Sequence, residues 1–304
     1  MAVIRWVIGV TITVAMIWAV EVLLGWRVVW ASWQLAPGLV VLQCLLLFAF
    51  SHALRAWRIF LFKSHSLGLG YGLTLKVSLI HQSLNNLLPM RLGEASYPLL
   101  MKRYGALSLI DASMDLVWLR VLDLLVMGSL SIFIAICYAS LELAIATSLV
   151  TMVAGAYVLV VSRSLSDRFE TTIQKRGALI STLSRLGARG PSSTTELSWL
   201  LCLTASAWAV KIGAIALLAA ALTDLSWLTI LGGAVAGELS GVLPVHGIAG
   251  AGTYETAFIA GAIPGGDTFE TLLLMSVSLH IFIVSSTCVL TLLSLPLGRA
   301  SRRN

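Results

Sequence analysis

The run N-N-L-L-P-M-R-L-G-E, Asn85 to Glu94, interrupts apolar sequence with a proline, a glycine and two charges. A second run, S-G-V-L-P-V-H-G-I-A-G-A-G-T-Y-E from Ser240 to Glu255, does the same in the other half of the chain. Proline removes a backbone donor, so each run predicts a broken helix. Broken backbone at membrane depth is sustained only where protein or a water-filled cavity surrounds it. One such break per half is the pattern of a transporter built from internal repeats.

Around these breaks the composition leaves one class. Of 304 residues, 58% are hydrophobic and 11% charged, against roughly 25% charged in soluble domains. The chain is therefore expected to be an all-α polytopic membrane protein. A span needs roughly 20 apolar residues, and six stretches qualify: 3–24, 37–54, 112–136, 143–161, 198–222 and 271–297. The first lacks a small-residue cleavage site and is expected to be a retained helix. Cys44, Cys137, Cys202 and Cys288 lie singly in apolar sequence and read as small hydrophobic residues.

Positive charge orients the spans, because cytoplasmic loops carry the excess of Lys and Arg. With a cytoplasmic N-terminus and both broken segments returning to their own side, 16 of the 20 basic residues fall inside, Arg55 and Arg58 among them. The segments are then two re-entrant hairpins, about 71–101 and 227–263, entering from opposite sides. An inverted-topology repeat follows, repeat one 1–140 and repeat two 141–304, joined by a cytoplasmic linker at 162–197 within a single membrane domain 1–304. Both termini are cytoplasmic in this arrangement, and the hairpin tips meet near the midplane.

The charges at the breaks carry the candidate chemistry. An Arg at the bilayer centre costs at least about 2.5 kcal/mol, so Arg91 must face a cavity or a partner. Its planar fork suits a phosphate or carboxylate; the alternative is a salt bridge to Glu94 or Glu255. Each of those carboxylates follows glycine and reads either as a helix-start cap or as a counter-ion and proton carrier. His246 reads as a headgroup contact or a packing residue, and Asn85 and Asn86 as cavity-lining or capping amides. Gly247, Gly250 and Gly252 permit tight turns whose free amides would form an anion nest. On the span after the first break, Asp111, Asp115, Arg120 and Asp123 include an Arg120–Asp123 pair at i, i+3. Lys211 and Glu238 are further buried charges. Trp26, Trp30, Trp33, Trp199 and Trp227 form the expected aromatic belt. No zinc-hydrolase, nucleophile-elbow or phosphate-loop motif occurs, and no cofactor or metal is expected.

At L-L-P-M-R-L-G-E-A (87–95), L-V-W-L-R-V-L-D-L (116–124) and L-P-V-H-G-I-A-G-A-G-T-Y-E (243–255) the sequence resembles the lysylphosphatidylglycerol synthase transmembrane-region family. That family includes the flippase half of the multiple-peptide-resistance factor. The resemblance runs from about residue 5 to 297. It assigns Pro89, Arg91, Gly93 and Glu94 to the first motif, Arg120 and Asp123 to an Arg-x-x-Asp motif, and Pro244, Gly250 and Glu255 to the second. His246 departs from the Pro-Gly-Gly pattern expected there. No aminoacyl-transferase sequence follows residue 304, so lysyl-lipid synthesis is not expected. The expectation is a multi-pass protein of a bacterial inner membrane that moves a lipid with an anionic or polar head, of phospholipid or polyprenyl-phosphate type, between leaflets. A membrane-embedded glycosyltransferase or its accessory subunit is the alternative, and a scaffold in an envelope-synthesis complex a third. Expected partners are membrane lipids with an anionic headgroup and no nucleic acid, with a homo-oligomer or envelope-synthesis partners left open.

Overall fold

The computed structural model describes residues 2–65, 67–139, 186–243 and 247–298, with only the backbone for residues 2–5, Met90 and Arg91. Every regular element in them is helical. Five helices are long and apolar enough to cross a membrane: α1 (Ala2–Leu23), α3 (Gly38–Ile59), α6 (Leu109–Cys137), α7 (Thr194–Leu222) and α10 (Phe269–Ser294). The sixth expected span, 143–161, and most of the linker lie outside the described residues.

Helix ends follow local chemistry. Ser108, Ser193 and Thr268 cap α6, α7 and α10 by accepting the amide three residues on, which satisfies a donor that the helix leaves free. α1 ends at Gly25, whose φ of 78° favours glycine. A short helix the sequence reading did not anticipate, α2 (Trp26–Ser32), follows before α3 begins behind Pro37.

α3 corrects a boundary. The expected span stopped at residue 54, ahead of the first cation, but the helix continues to Ile59 and through a π-turn to Ser64. Arg55 and Arg58, counted above as loop cations, are buried on its inner face at 7% and 4% exposure.

The two broken segments are helix–turn–helix units of short helices. The first is α4 (Tyr71–Leu87), a 3-10 turn Pro89–Ala95 and α5 (Ser96–Gly105). Pro89 holds Leu88 extended, at φ −83° and ψ 133°, which ends α4. Gly93 then lies on the α4 backbone: a Cβ there would collide with the carbonyl of Leu84 and with Asn85 Cα. The second unit is α8 (Trp227–Ser240), a 3-10 turn Ile248–Gly250 and α9 (Thr253–Ala262).

α8 and α9 pack antiparallel through small residues. Gly232 faces Gly261, Gly233 faces the Phe258 ring and Gly237 the Tyr254 ring, each too close for a Cβ. Small residues let membrane helices approach where no hydrophobic drive exists between them. Polar bonds tie other pairs: Ser51 Oγ donates to the Ala207 carbonyl at 2.8 Å between α3 and α7, and Ser83 meets Thr291 at 2.7 Å between α4 and α10. The 3-10 turns of the two units touch each other, and α1 packs on both. Meanwhile the outer faces are apolar, with Trp18, Leu46, Leu292 and Leu293 exposed.

Candidate functional site

Asp123 lies halfway along α6 and is buried. A lone carboxylate there would be very costly, so it gathers donors. Arg58 engages both its oxygens, at 2.8 and 3.3 Å, and Trp208 Nε1 donates to it at 3.1 Å. Arg55 stands at 3.8 Å and Arg120 at 3.7 Å. The expected Arg120–Asp123 pair is thus present, but the close partner is Arg58, which also donates to Thr204 Oγ1 at 2.8 Å.

Arg120 instead reaches the first break. Its Nη2 lies 2.9 Å from Glu94 Oε1 and 3.4 Å from His81 Nε2, and His81 Nδ1 meets Ser96 Oγ at 3.0 Å. Ser96 donates back to the Gly93 carbonyl at 2.6 Å. Hence the 3-10 turn is tied to the centre of α6 through one guanidinium. The second unit is tied in through α7, where Lys211 and Glu238 of α8 pair at 2.6 Å with little exposure.

Glu255 acts as a cap. One oxygen accepts the Gly252 amide at 2.7 Å, and the other lies 2.6 Å from His280 Nδ1 on α10. His280 Nε2 meets the Ala249 carbonyl at 2.7 Å. A carbonyl only accepts, so His280 Nε2 is the donor in that bond. These bonds fix Ala249 at φ 58°, a left-handed conformation unusual for a residue with a Cβ. The expected nest of free amides does not form. Gly250 and Gly252, at φ 83° and 81°, fold the turn onto itself, and the amides of Gly247, Gly250 and Gly252 donate to Ala251, Gly247 and Glu255. Pro244, Val245 and His246 lie outside the described residues, as does the Arg91 side chain, so the roles expected for Arg91, Pro244 and His246 meet no geometry.

Two cavities join these groups. The larger, about 190 Å³, is bounded by Arg55, Gln82, Arg120, Asp123, Trp208 and Leu239. The smaller, about 80 Å³, reaches Lys211, Tyr254, Gly250 and His280. Asn85, Asn86, Glu238 and Gly241 line both, so the amides of the first break and the carboxylate of the second unit face one polar space. Both volumes exceed the roughly 10–15 Å³ that one water needs. Four buried polar atoms of residues that line this space have no hydrogen-bond partner among the described residues: Arg55 Nη2, Arg120 Nε, Asn85 Oδ1 and Glu238 Oε1. Arg55 forms no hydrogen bond among those described and rests instead on the Trp208 ring at 4.0 Å.

A separate ion cluster closes the N-terminal end of α6. Arg189 grips Asp115 with two bonds of 2.8 and 2.7 Å and lies 3.4 Å from Asp111, while Lys63 donates to the Arg189 carbonyl at 2.9 Å. Its hydrogen bonds to Asp115 push the Arg189 pKa up from the usual value. Asp111 and Asp115 therefore serve this end of the bundle and not the cavity.

A family model described as lysylphosphatidylglycerol synthase TM region matches residues 6–291. The chain belongs to that family. No curated protein and no solved structure matches it. Membership establishes a membrane protein of a lipid-related family and bears out the resemblance drawn from the Leu-Pro-x-Arg-x-Gly-Glu run. The sequence reading missed Arg55, Trp208 and His280, which line the cavities, and Arg58 and His81, which bond to Asp123 and Arg120 behind that lining. Ser51, His52, Arg55 and Arg58 recur at helical spacing along one face of α3, a signal visible once the helix is not stopped at its first charge.

Proposed function

We propose that this protein is a lipid transporter that carries a phospholipid or polyprenyl-phosphate lipid between leaflets, its anionic or polar head passing through the joined cavities. The observation that carries the reading is the excess of cation at mid-depth. Among the described groups Arg55, Arg58, Arg120 and Lys211 face Asp123, Glu94 and Glu238, and two guanidinium nitrogens, Arg55 Nη2 and Arg120 Nε, point at no acceptor. Charges inside a membrane mark a substrate path more often than a structural need, and a guanidinium fork is matched to phosphate oxygens. Asn85 Oδ1 and Glu238 Oε1 supply acceptors for head hydroxyls or amines in the same space.

In this reading the two helix–turn–helix units are oppositely entering hairpins of an inverted repeat, and their touching turns form the shared site. Lys63, Lys102, Arg103 and Arg189 mark the cytoplasmic face of an inner membrane. Arg91, Glu94 and His246 join the head contacts as the substrate moves, while Pro89, Gly93 and Pro244 keep the breaks in shape.

The test is reconstitution in liposomes with headgroup-labelled phosphatidylglycerol. The label is expected to become accessible at the opposite leaflet with the lipid mass unchanged. A product of altered mass that depends on a supplied sugar donor would replace transport with the transferase.

A further inference from the structure

The polar cavity continues into an apolar furrow. On α6, Leu124 and Met127 line the cavity, and Ser131, Ile134, Ala135 and Tyr138 line a furrow of about 370 Å³ further along. Steps of three and four residues keep all of these on one helix face. α8 forms the facing wall: Leu239 lines both spaces, and Gly232, Val235 and Ala236 carry the wall onward. The floor is deep where Gly232 meets Gly261, because neither has a side chain to fill it.

The furrow asks for no polar partner. Ser131 donates to the Met127 carbonyl at 2.9 Å, and Tyr138 donates to the Leu228 carbonyl at 3.3 Å. Its remaining lining is hydrocarbon or glycine backbone. The furrow lining runs from Ser131 to Tyr138 on one wall and from Gly232 to Leu239 on the other, in each case seven steps or roughly 10 Å at 1.5 Å per residue, and half of a hydrocarbon core is about 15 Å. The furrow therefore shelters about two thirds of one leaflet's depth, and it starts where the polar cavity ends.

We propose that the α6–α8 furrow binds a single hydrocarbon tail of the same lipid molecule whose head occupies the cavity. The proposal rests on the transport reading for its substrate. The substrate then loads from the leaflet at the C-terminal end of α6, opposite the cluster of Lys63, Arg189 and Asp115. One tail stays sheltered while the head is held, so specificity extends to the first tail as well as to the phosphate.

The experiment uses the full chain in nanodiscs with two photoreactive lipids that share a diazirine-bearing tail, one with a phosphatidylglycerol head and one with a phosphatidylcholine head. Cross-linked peptides are mapped by mass spectrometry. The phosphatidylglycerol probe is expected to label 127–138 and 232–239 at least about fivefold more than the phosphatidylcholine probe, and unlabelled phosphatidylglycerol to compete. Leu292 and Leu293, on the outer face of α10, should label equally with both. Ala135→Trp, at an exposed position, should fill the furrow, abolish the head-dependent labelling and slow translocation about tenfold. Equal furrow labelling by both heads, or translocation by Ala135→Trp at the wild-type rate, would overturn the tail site while leaving wild-type transport standing. Head-dependent labelling in a protein that does not translocate lipid would support the tail site and sink the transport reading instead.

Discussion

Asp123 and Arg55 occupy one cluster yet differ in what their removal should do. Asp123 is held by Arg58 and Trp208 and offsets two further guanidinium groups. Asp123→Asn leaves those cations without their counter-ion and should cost about 3–5 kcal/mol of stability, since breaking a buried pair strands the partner. Thermal denaturation followed by tryptophan fluorescence would register this as a marked drop in Tm; an unchanged Tm would mean the charges are offset elsewhere. Arg55 contributes a distant ion pair and a cation–π contact, so Arg55→Gln should cost no more than about 2 kcal/mol. Its translocation rate should nevertheless fall about tenfold, because the free Nη2 is what a phosphate would meet. A variant with the stability loss and the full wild-type rate would reduce Arg55 to a packing residue.

The elements depend on backbone approach at a few glycines. Gly93→Ala would drive a Cβ into the α4 backbone at Leu84, and Gly261→Ala would drive one into the Gly232 carbonyl. Such overpacking costs roughly 1–3 kcal/mol. Hydrogen exchange should locate the loosening in 84–95 for the first and in 228–262 for the second; protection as in the wild type would show that the helices shift apart freely. Likewise His280→Ala removes the bond that holds Ala249 left-handed, and should raise exchange in 247–252 without loosening α10. These breaks were legible in advance because proline and glycine act on the backbone wherever they fall: Pro89 ends α4 as its position demands. The end of α3 was not legible. Charge at Arg55 reads as an exit from the membrane when its partner, Asp123, is 68 residues away in sequence. His280 was missed for the same reason, as the one imidazole in a long apolar helix whose partner, Glu255, lies on α9. The pairing of Lys211 with Glu238 was open in the sequence as two isolated buried charges, and tertiary structure joined them.

For the molecule as a whole, the ends of the bundle differ in charge. Lys63, Lys102, Arg103 and Arg189 gather at the N-terminal end of α6, and Asp224, Asp267 and Glu270 lie at the other. Single cysteines at Lys102 and Asp224, both exposed, should therefore label from opposite sides, Lys102→Cys from the cytoplasm. Labelling of both from one side would contradict the assigned orientation. Membership of the family was legible because its motifs coincide with the breaks, whereas the cavity between them depends on α3 and α10 residues that no motif marks. The central claim is that this cavity receives a lipid head at mid-depth. An electron cryo-microscopy map of the protein in nanodiscs containing phosphatidylglycerol tests it most directly. The expected result is a phosphate within hydrogen-bond distance of Arg55 Nη2 and Arg120 Nε, continuous with a tail between α6 and α8. A cavity that holds only water, with every ordered phosphate at the bilayer surface, would contradict the account.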